Sequence, residues 1–328
     1  MTITEPPEQA GQAGQAGPAM QAGQAGQPRQ PLLQVRNLKR YYPIRKGVIA
    51  RTVGHVRAVD DVSFEVYPGE TLGIVGESGC GKSTTGRAIV RLETPTAGSV
   101  IFEGTDIASL SKGRMRRLRT DLQMVFQDPY SSLNPQIRIG DLLAEPLIAH
   151  HRLDRSGAHA KAAEILRIVG LPTVYLNRYP HELSGGQRQR VGIARALMLE
   201  PKLIVCDEPV SALDVSIQAQ VINLFMDLQE RLGLTYLFIA HDLAVVRHIS
   251  TRIAVMYLGR IVEIADRDDI YREPLHPYTE ALMAAVPVAD PEVEARRPRA
   301  VISGEVPSAL RPPPGCSFHT RCPRAMAV

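Results

Sequence analysis

The 328-residue sequence predicts an α/β protein with a mostly parallel central sheet. Three observations carry this. The runs TLGIVG (71–76), LIVCDE (203–208) and YLFIAHD (236–242) are apolar without alternation, as strands covered on both faces are. Helical periodicity lies between them, over 141–169 and about 217–232. The first run also leads into Gly76-Glu77-Ser78-Gly79-Cys80-Gly81-Lys82-Ser83, which fits G-x-x-x-x-G-K-[ST]. That pattern works only with a strand before it and a helix after it.

The elements follow in order. Residues 1–31 are Gly, Ala, Gln and Pro with recurring AGQAG units and three charges (Glu5, Glu8, Arg29). Such a segment buries too little apolar surface to offset its ordering entropy and is expected to be a disordered tail. LLQVRNL reads as a strand, VSFEV (62–66) alternates as a half-buried one, and YPGE turns the chain. TLGIVG is a central strand, followed by a helix from near Lys82; SVIFEG (99–104) and LQMVFQ (122–127) are further strands. Helical pattern then fills 141–169. Ser184 is a natural N-cap for a helix that puts Val191, Ala194 and Met198 on one face. LIVCDE and YLFIAHD flank the helix at about 217–232, and IAVMYLGRIVEIAD reads as a hairpin turning at Leu258-Gly259. Past about Asp268 prolines multiply and periodicity fades, marking a C-terminal extension with a loosely ordered end.

Composition bounds the rest. Apolar residues make up 44% and charged residues 22%, as in folded soluble proteins. The net charge of +4 does not argue for nucleic acid, and the basic run KGRMRRLR (112–119) reads as a solvated helix face near the membrane, with contact to anionic lipid or nucleic acid as the alternative. No apolar run reaches the ~18 residues of a membrane span, and the N-terminus lacks a secretion signal. Four cysteines in a chain this long are no disulfide framework, so the cytosol is the expected compartment.

The chemistry concentrates in three places. In the phosphate loop, glycines let backbone N–H groups curl around phosphate oxygens, and the helix N-terminus adds partial positive charge. Lys82 can reach the β- and γ-phosphates, and the Ser83 hydroxyl can ligate Mg²⁺. Thr84 belongs to the same nucleotide-binding set, and Cys80 is read as packing. At the carboxyl end of LIVCDE, Asp207 is placed to hold Mg²⁺ and Glu208 to polarise an attacking water. Third, Leu183-Ser184-Gly185-Gly186-Gln187 fronts a second helix N-terminus, a second anion site, 20 residues before Asp207.

With these residues in view, the chain resembles the nucleotide-binding subunits of ABC transporters. GESGCGKST and LIVCDEP are similar to their Walker A and B motifs, and LSGGQ to their signature. Gln127 resembles the Q-loop glutamine, Ser211-Ala212-Leu213-Asp214 the D-loop, and His241 the switch histidine. Tyr42 is a candidate to stack on adenine, with Tyr41 competing. The resemblance implies an ABC-type P-loop NTPase: a nucleotide-binding domain over 32–267, with an antiparallel β subdomain and a helical subdomain at about 128–183, then an extension over 268–328. It also implies that two ATPase subunits face each other head to tail. ATP would lie between Lys82 and Ser83 of one and Ser184, Gly185, Gly186 and Gln187 of the other, with Asp214 at the junction. Glu208 would activate water, His241 would contact the γ-phosphate, and Gln127 would sense Mg²⁺ and link to membrane subunits. DPYSSLNP (128–135) has turn chemistry suited to a hinge.

Further stretches, including NPQIRIGDLLAEPL, YREPLHPYTEALMAAVP and GEVPSALRPPPGC, resemble the oligopeptide/dipeptide importer subgroup. That implies a peripheral ATPase on the cytoplasmic face of the cell membrane, with two permease subunits, an extracytoplasmic solute-binding protein and a second, unlike ATPase subunit, and no nucleic acid. Import of nickel or another small solute is the alternative within the class; a soluble non-transport ABC ATPase is the alternative outside it. Some of the subgroup hold an iron–sulfur cluster on four cysteines in this tail. Here only Cys316 and Cys322 are present, and the sequence stops six residues later, as a truncated chain would. A [4Fe–4S] cluster normally needs four thiolates, so none is expected from this chain.

Overall fold

The computed structural model describes residues 29–47, 51–128, 132–285 and 304–326. The expected disordered tail lies almost wholly outside them, as does the centre of the expected hinge. The chain divides into residues 1–30 and 31–328, and all that follows concerns the second unit.

Two sheets organise it. The strands are β1 (Leu33–Lys46), β2 (Arg51–Val66), β3 (Thr71–Val75), β4 (Ala97–Phe102), β5 (Thr105–Asp106), β6 (Leu122–Val125), β7 (Leu203–Asp207), β8 (Thr235–Ile239), β9 (Arg252–Tyr257) and β10 (Arg260–Asp266). Six form the central sheet in the order β10-β9-β3-β8-β7-β6. It is parallel from β9 to β6, with β10 antiparallel at one edge. The other four form an antiparallel sheet, β2-β1-β4-β5. The helices are α1 (Lys82–Ile89), α2 (Lys112–Leu118), α3 (Ile139–Ala149), α4 (Arg155–Ile168), α5 (Gly185–Leu197), α6 (Val215–Leu232), α7 (Leu243–Ile249), α8 (Arg267–Arg272) and α9 (Pro277–Ala284).

Every residue of β3, β7 and β8 is buried, which is why these runs show no alternation in the sequence. Their side chains nonetheless sort by the period of two. Leu72, Ile74, Leu203, Val205, Leu237 and Ile239 face a core shared with α1 and the antiparallel sheet. Val75, Ile204, Cys206, Tyr236 and Phe238 face the core built by α3 to α7. The sheet is thus filled on both sides, and its strand ends are left to carry chemistry.

Three stretches differ from expectation. β1 and β2 run well beyond the predicted 32–38 and 62–66. Their outer halves pair with each other while staying largely exposed, so no burial pattern betrays them. The helical stretch 141–169 is two helices. His151 turns left-handed (φ 53°), and the Asp154 carboxylate caps α4 by accepting from Gly157 N–H at 2.9 Å. The extension is anchored over residues 304–326, where a loosely ordered end was expected: Phe318 is 1% exposed and packs against Tyr257 and Tyr278 at centroid distances of 5.3 and 5.4 Å.

Candidate functional site

β3 delivers the chain into the phosphate loop, and the loop's shape depends on glycine. Gly76, Gly79 and Gly81 have φ of 150°, 78° and 108°. A Cβ on Gly76 would lie 2.1 Å from the Met256 carbonyl oxygen, and one on Gly81 2.1 Å from that of Ala58. Backbone therefore closes on the loop from β9 and β2. Gly259, in the tight turn of β9–β10, donates its N–H to the Cys80 carbonyl at 2.8 Å. Gly81 caps α1, so Lys82, Ser83 and Thr84 form its first turn. Lys82 is 4% exposed, and its ammonium donates to the Gly76 and Glu77 carbonyls at 2.8 and 3.1 Å. Ser78 and Gly79 are exposed at the loop's tip, while Cys80 is buried, which pushes its thiol pKa up.

Asp207 ends β7 with no solvent exposure. Its Oδ2 lies 3.5 Å from the Arg87 guanidinium, and its Oδ1 is buried without a hydrogen-bond partner. Burial pushes its carboxyl pKa up, opposed by Ser83 and Arg87. A buried, unpartnered carboxylate oxygen beside the Ser83 hydroxyl is a hard-oxygen donor set that fits Mg²⁺. No group of three or more His, Cys, Asp or Glu that could hold a metal occurs among the described residues. An ion that shares phosphate oxygens and waters needs none. Asp207→Asn should therefore abolish the Mg²⁺-dependent part of ATP binding, measured as affinity with and without the ion. It should also stabilise the nucleotide-free chain. A raised carboxyl pKa means the folded state holds the proton more tightly, so stability falls as pH rises through that titration. Removing the charge should raise the neutral-pH melting temperature by about 2–4 °C and flatten that slope.

Glu208 follows at the strand end in a left-handed conformation (φ 44°), held by Glu208 N–H donating to the Ile239 carbonyl at 2.9 Å. Its carboxylate meets two of the predicted residues. Gln127 Nε2 donates to Oε2 at 3.1 Å, and His241 Nδ1 lies 3.1 Å from the same oxygen. Gln127 follows β6 and His241 follows β8, the two strands flanking β7. The sheet order itself gathers the three side chains.

The signature residues stand apart. Ser184 caps α5: its Oγ accepts from Gln187 N–H at 3.4 Å, and Ser184 N–H donates to Gln187 Oε1 at 2.9 Å. Gln187 also donates to the Tyr175 hydroxyl at 3.2 Å. Gly186 is tight against α6, where a Cβ would lie 2.5 Å from Ile217 Cγ2. Among the described residues no hydrogen bond joins 184–187 to the phosphate loop. Asp214 is exposed and starts α6 without a side-chain cap. Tyr42 lies under the Arg40 guanidinium at 4.4 Å, its hydroxyl bonded to Glu93 and close to Thr84. Tyr41 is instead tied to Asp60, which Arg260 also grips.

Two residues that sequence reasoning passed over also reach the loop. Tyr278, read only as part of the extension, accepts from Glu77 N–H at 2.9 Å, and Arg321 clasps the Glu77 carboxylate. No local pattern could have found them, since 201 and 244 residues separate the partners. Cys316 is exposed and Cys322 partly buried, both as free thiols. Beside Gln127, a groove of about 360 Å³ opens between β6, α3 and α5, lined by Met124, Phe126, Leu133, Pro146 and Arg195.

A glycine-shaped phosphate loop, a buried Asp and an adjacent Glu at the carboxyl ends of a parallel sheet define a phosphate-loop ATPase. Its branch follows from comparison. Residues 59–211 match the family model "ABC transporter", and residues 262–328 match "Oligopeptide/dipeptide transporter, C-terminal region". The chain is 55% identical over 90% of its length to the oligopeptide transport ATP-binding protein AppF of Bacillus subtilis, covering 91% of that protein. It is 53% identical to OppF of Salmonella typhimurium (90% and 89% covered) and 52% to the di/tripeptide transport ATP-binding protein DppF of Pseudomonas aeruginosa (90% and 90%). Among solved structures, the dimeric post-hydrolysis state of the ATP-binding cassette MJ0796, bound to ADP and Pi, superposes with TM-score 0.63 and 29% identity, covering 72% of this chain and 98% of that one. The cassette cbiO1 of Clostridium perfringens gives TM-score 0.63 at 26% identity, covering 74% and 91%. The chain belongs to the ABC transporter family, as an ATP-binding subunit.

Proposed function

We propose that this chain hydrolyses ATP to drive inward transport of di- and oligopeptides. It would act as one of two ATPase subunits beneath two permease subunits supplied by an extracytoplasmic binding protein. The observation that carries the reaction is the Glu208 carboxylate at the end of β7, shared by Gln127 and His241 and set beside the phosphate loop. Glu208 takes the proton of the attacking water. His241 orients that water and meets the γ-phosphate. Lys82 exchanges its carbonyl partners for phosphate oxygens, and the backbone of 76–81 donates to them. Mg²⁺, when bound by Ser83, Asp207 and Gln127, supplies charge neutralisation of the phosphates. Tyr42, whose ring already carries the Arg40 guanidinium, is the candidate to stack on adenine. The cargo is inferred from the peptide-transport relatives, and the groove beside Gln127 suits a short helix of a permease. The described residues contain no helix long and apolar enough to cross a membrane, which agrees with a peripheral subunit at the cytoplasmic face. Reconstitution with permeases and binding protein in liposomes tests this. Peptides should stimulate ATP hydrolysis; stimulation by nickel alone would move the cargo to a metal.

The separation of 184–187 from the loop within one chain supports a site completed by a second subunit. The Ser184 Oγ accepts within its own cap, which leaves its O–H to donate to a partner's γ-phosphate. Ser184→Ala in this chain should slow hydrolysis at the partner's nucleotide by about tenfold or more. The readout is a complex in which this chain also carries Glu208→Gln, so that only the partner's ATP turns over. Unchanged turnover there would show that the signature does not act across the interface.

A further inference from the structure

The phosphate loop is braced from behind by the far end of the chain. All four polar atoms of Glu77 are engaged. Its N–H donates to the Tyr278 hydroxyl at 2.9 Å. Its carbonyl accepts from Lys82 Nζ at 3.1 Å and from Cys80 N–H at 3.2 Å. Its carboxylate receives both Arg321 nitrogens, at 2.9 and 3.1 Å. The Arg321 side chain is 7% exposed and also donates to the Tyr257 hydroxyl at 3.5 Å. Beneath it, Tyr257, Tyr278 and Phe318 form one aromatic cluster. A second tie runs from Arg57 N–H in β2 to the Ala309 carbonyl at 3.1 Å, so the segment is fastened to both elements that close on the loop.

An acidic residue in a loop that wraps polyphosphate is a liability, because its charge repels the ligand. A bidentate guanidinium cancels that charge and fixes the carboxylate's direction. The Tyr278 hydroxyl meanwhile fixes the peptide plane preceding the loop's exposed tip. We propose that Arg321 and Tyr278 are positioning residues for the nucleotide site, through which the C-terminal region sets ATP affinity. The inference rests on the loop being the phosphate site.

The test is a double-substitution cycle read by calorimetry, with ATP titrated without Mg²⁺ into the intact full-length chain. Arg321→Met should weaken ATP binding by about tenfold, a modest loss because Glu77 stays partly exposed. The pair Arg321→Met with Glu77→Gln should bind within about threefold of Glu77→Gln alone, since no charge then remains to cancel. In the assembled transporter, Arg321→Met should raise the KM for ATP by a similar factor while kcat at saturating ATP holds within about threefold. Tyr278→Phe should give a smaller rise, about threefold. Arg321→Lys should restore part of the loss, because it returns the charge without the fork. Unchanged ATP affinity in Arg321→Met overturns the proposal. So does a double variant as weak as Arg321→Met, which would mean that the arginine only builds the tail. Should Arg321→Met not fold, Arg321→Lys and Tyr278→Phe decide, and an unshifted KM in both overturns it. Lys82→Ala separates the two levels. If it leaves ATP affinity intact, the loop is not the phosphate site. If it weakens binding and Arg321→Met does not, only the role of the C-terminal region falls.

Discussion

Glu208→Gln lowers ATP turnover in the assembled transporter by about 10²–10⁴-fold while ATP binding stays near its original strength. The expectation follows from what the substitution keeps. A glutamine has the shape of the glutamate and retains a carbonyl oxygen, which can still accept from Gln127 Nε2, now 3.1 Å from Oε2. The left-handed backbone at φ 44° is held by the Ile239 carbonyl and does not depend on the side chain's charge. What is lost is the capacity to take a proton from water. The phosphate loop lies at the end of another strand and is untouched, so binding and turnover should separate cleanly. Single-turnover hydrolysis and ATP titration on the same preparation measure the two. A variant that hydrolyses ATP at close to the normal rate would place the base elsewhere, with His241 the next candidate.

Gly81→Ala should abolish ATP binding at the concentrations that saturate the unmodified chain, a loss of about a hundredfold or more. Two effects add. The backbone at φ 108° is one that side chains rarely adopt, and a Cβ would sit 2.1 Å from the Ala58 carbonyl oxygen. The obstacle is backbone rather than the end of a flexible side chain, so either β2 or the start of α1 must shift by about an ångström. A displacement of that order at Lys82 and Ser83 moves both phosphate contacts away together. Gly79→Ala is the matched comparison. It has a positive φ of 78° but open space around a Cβ, so it should be milder. Equal loss in both would assign the effect to backbone strain alone.

Sequence alone made the candidate site legible where chemistry imposes local spacing. Three glycines and a lysine must lie within eight residues to wrap a phosphate, and two carboxylates must end one buried strand. Ser184 to Gln187 must form one capping box. These constraints are short-range, so they survive as motifs. The gathering of Gln127, Glu208 and His241 came only by family likeness, because it depends on β6, β7 and β8 being neighbours, a fact of topology. The outer halves of β1 and β2 escaped notice because they bury little. Tyr278, Phe318 and Arg321 escaped because an aromatic cluster assembled from three distant segments has no period. The expectation of a loosely ordered end failed over residues 304–326 for that reason: prolines signalled irregular backbone, but irregular backbone can still be anchored by one buried phenylalanine and one buried arginine.

The bond from Arg321 to Glu77 spans 244 residues of chain. Synthesis proceeds from the N-terminus at ~5–20 residues per second, so roughly 12–50 s separate the emergence of the two partners. During that interval β3, the phosphate loop and α1 can fold with their neighbours, but the loop's acidic residue has no arginine to meet. The proposed brace on the phosphate loop is therefore added late, by residues made long after the loop itself. A nascent or prematurely terminated subunit would carry every recognisable motif yet grip ATP weakly. On this reading, full nucleotide affinity waits until the segment that carries Tyr278 and Arg321 has been made and has docked.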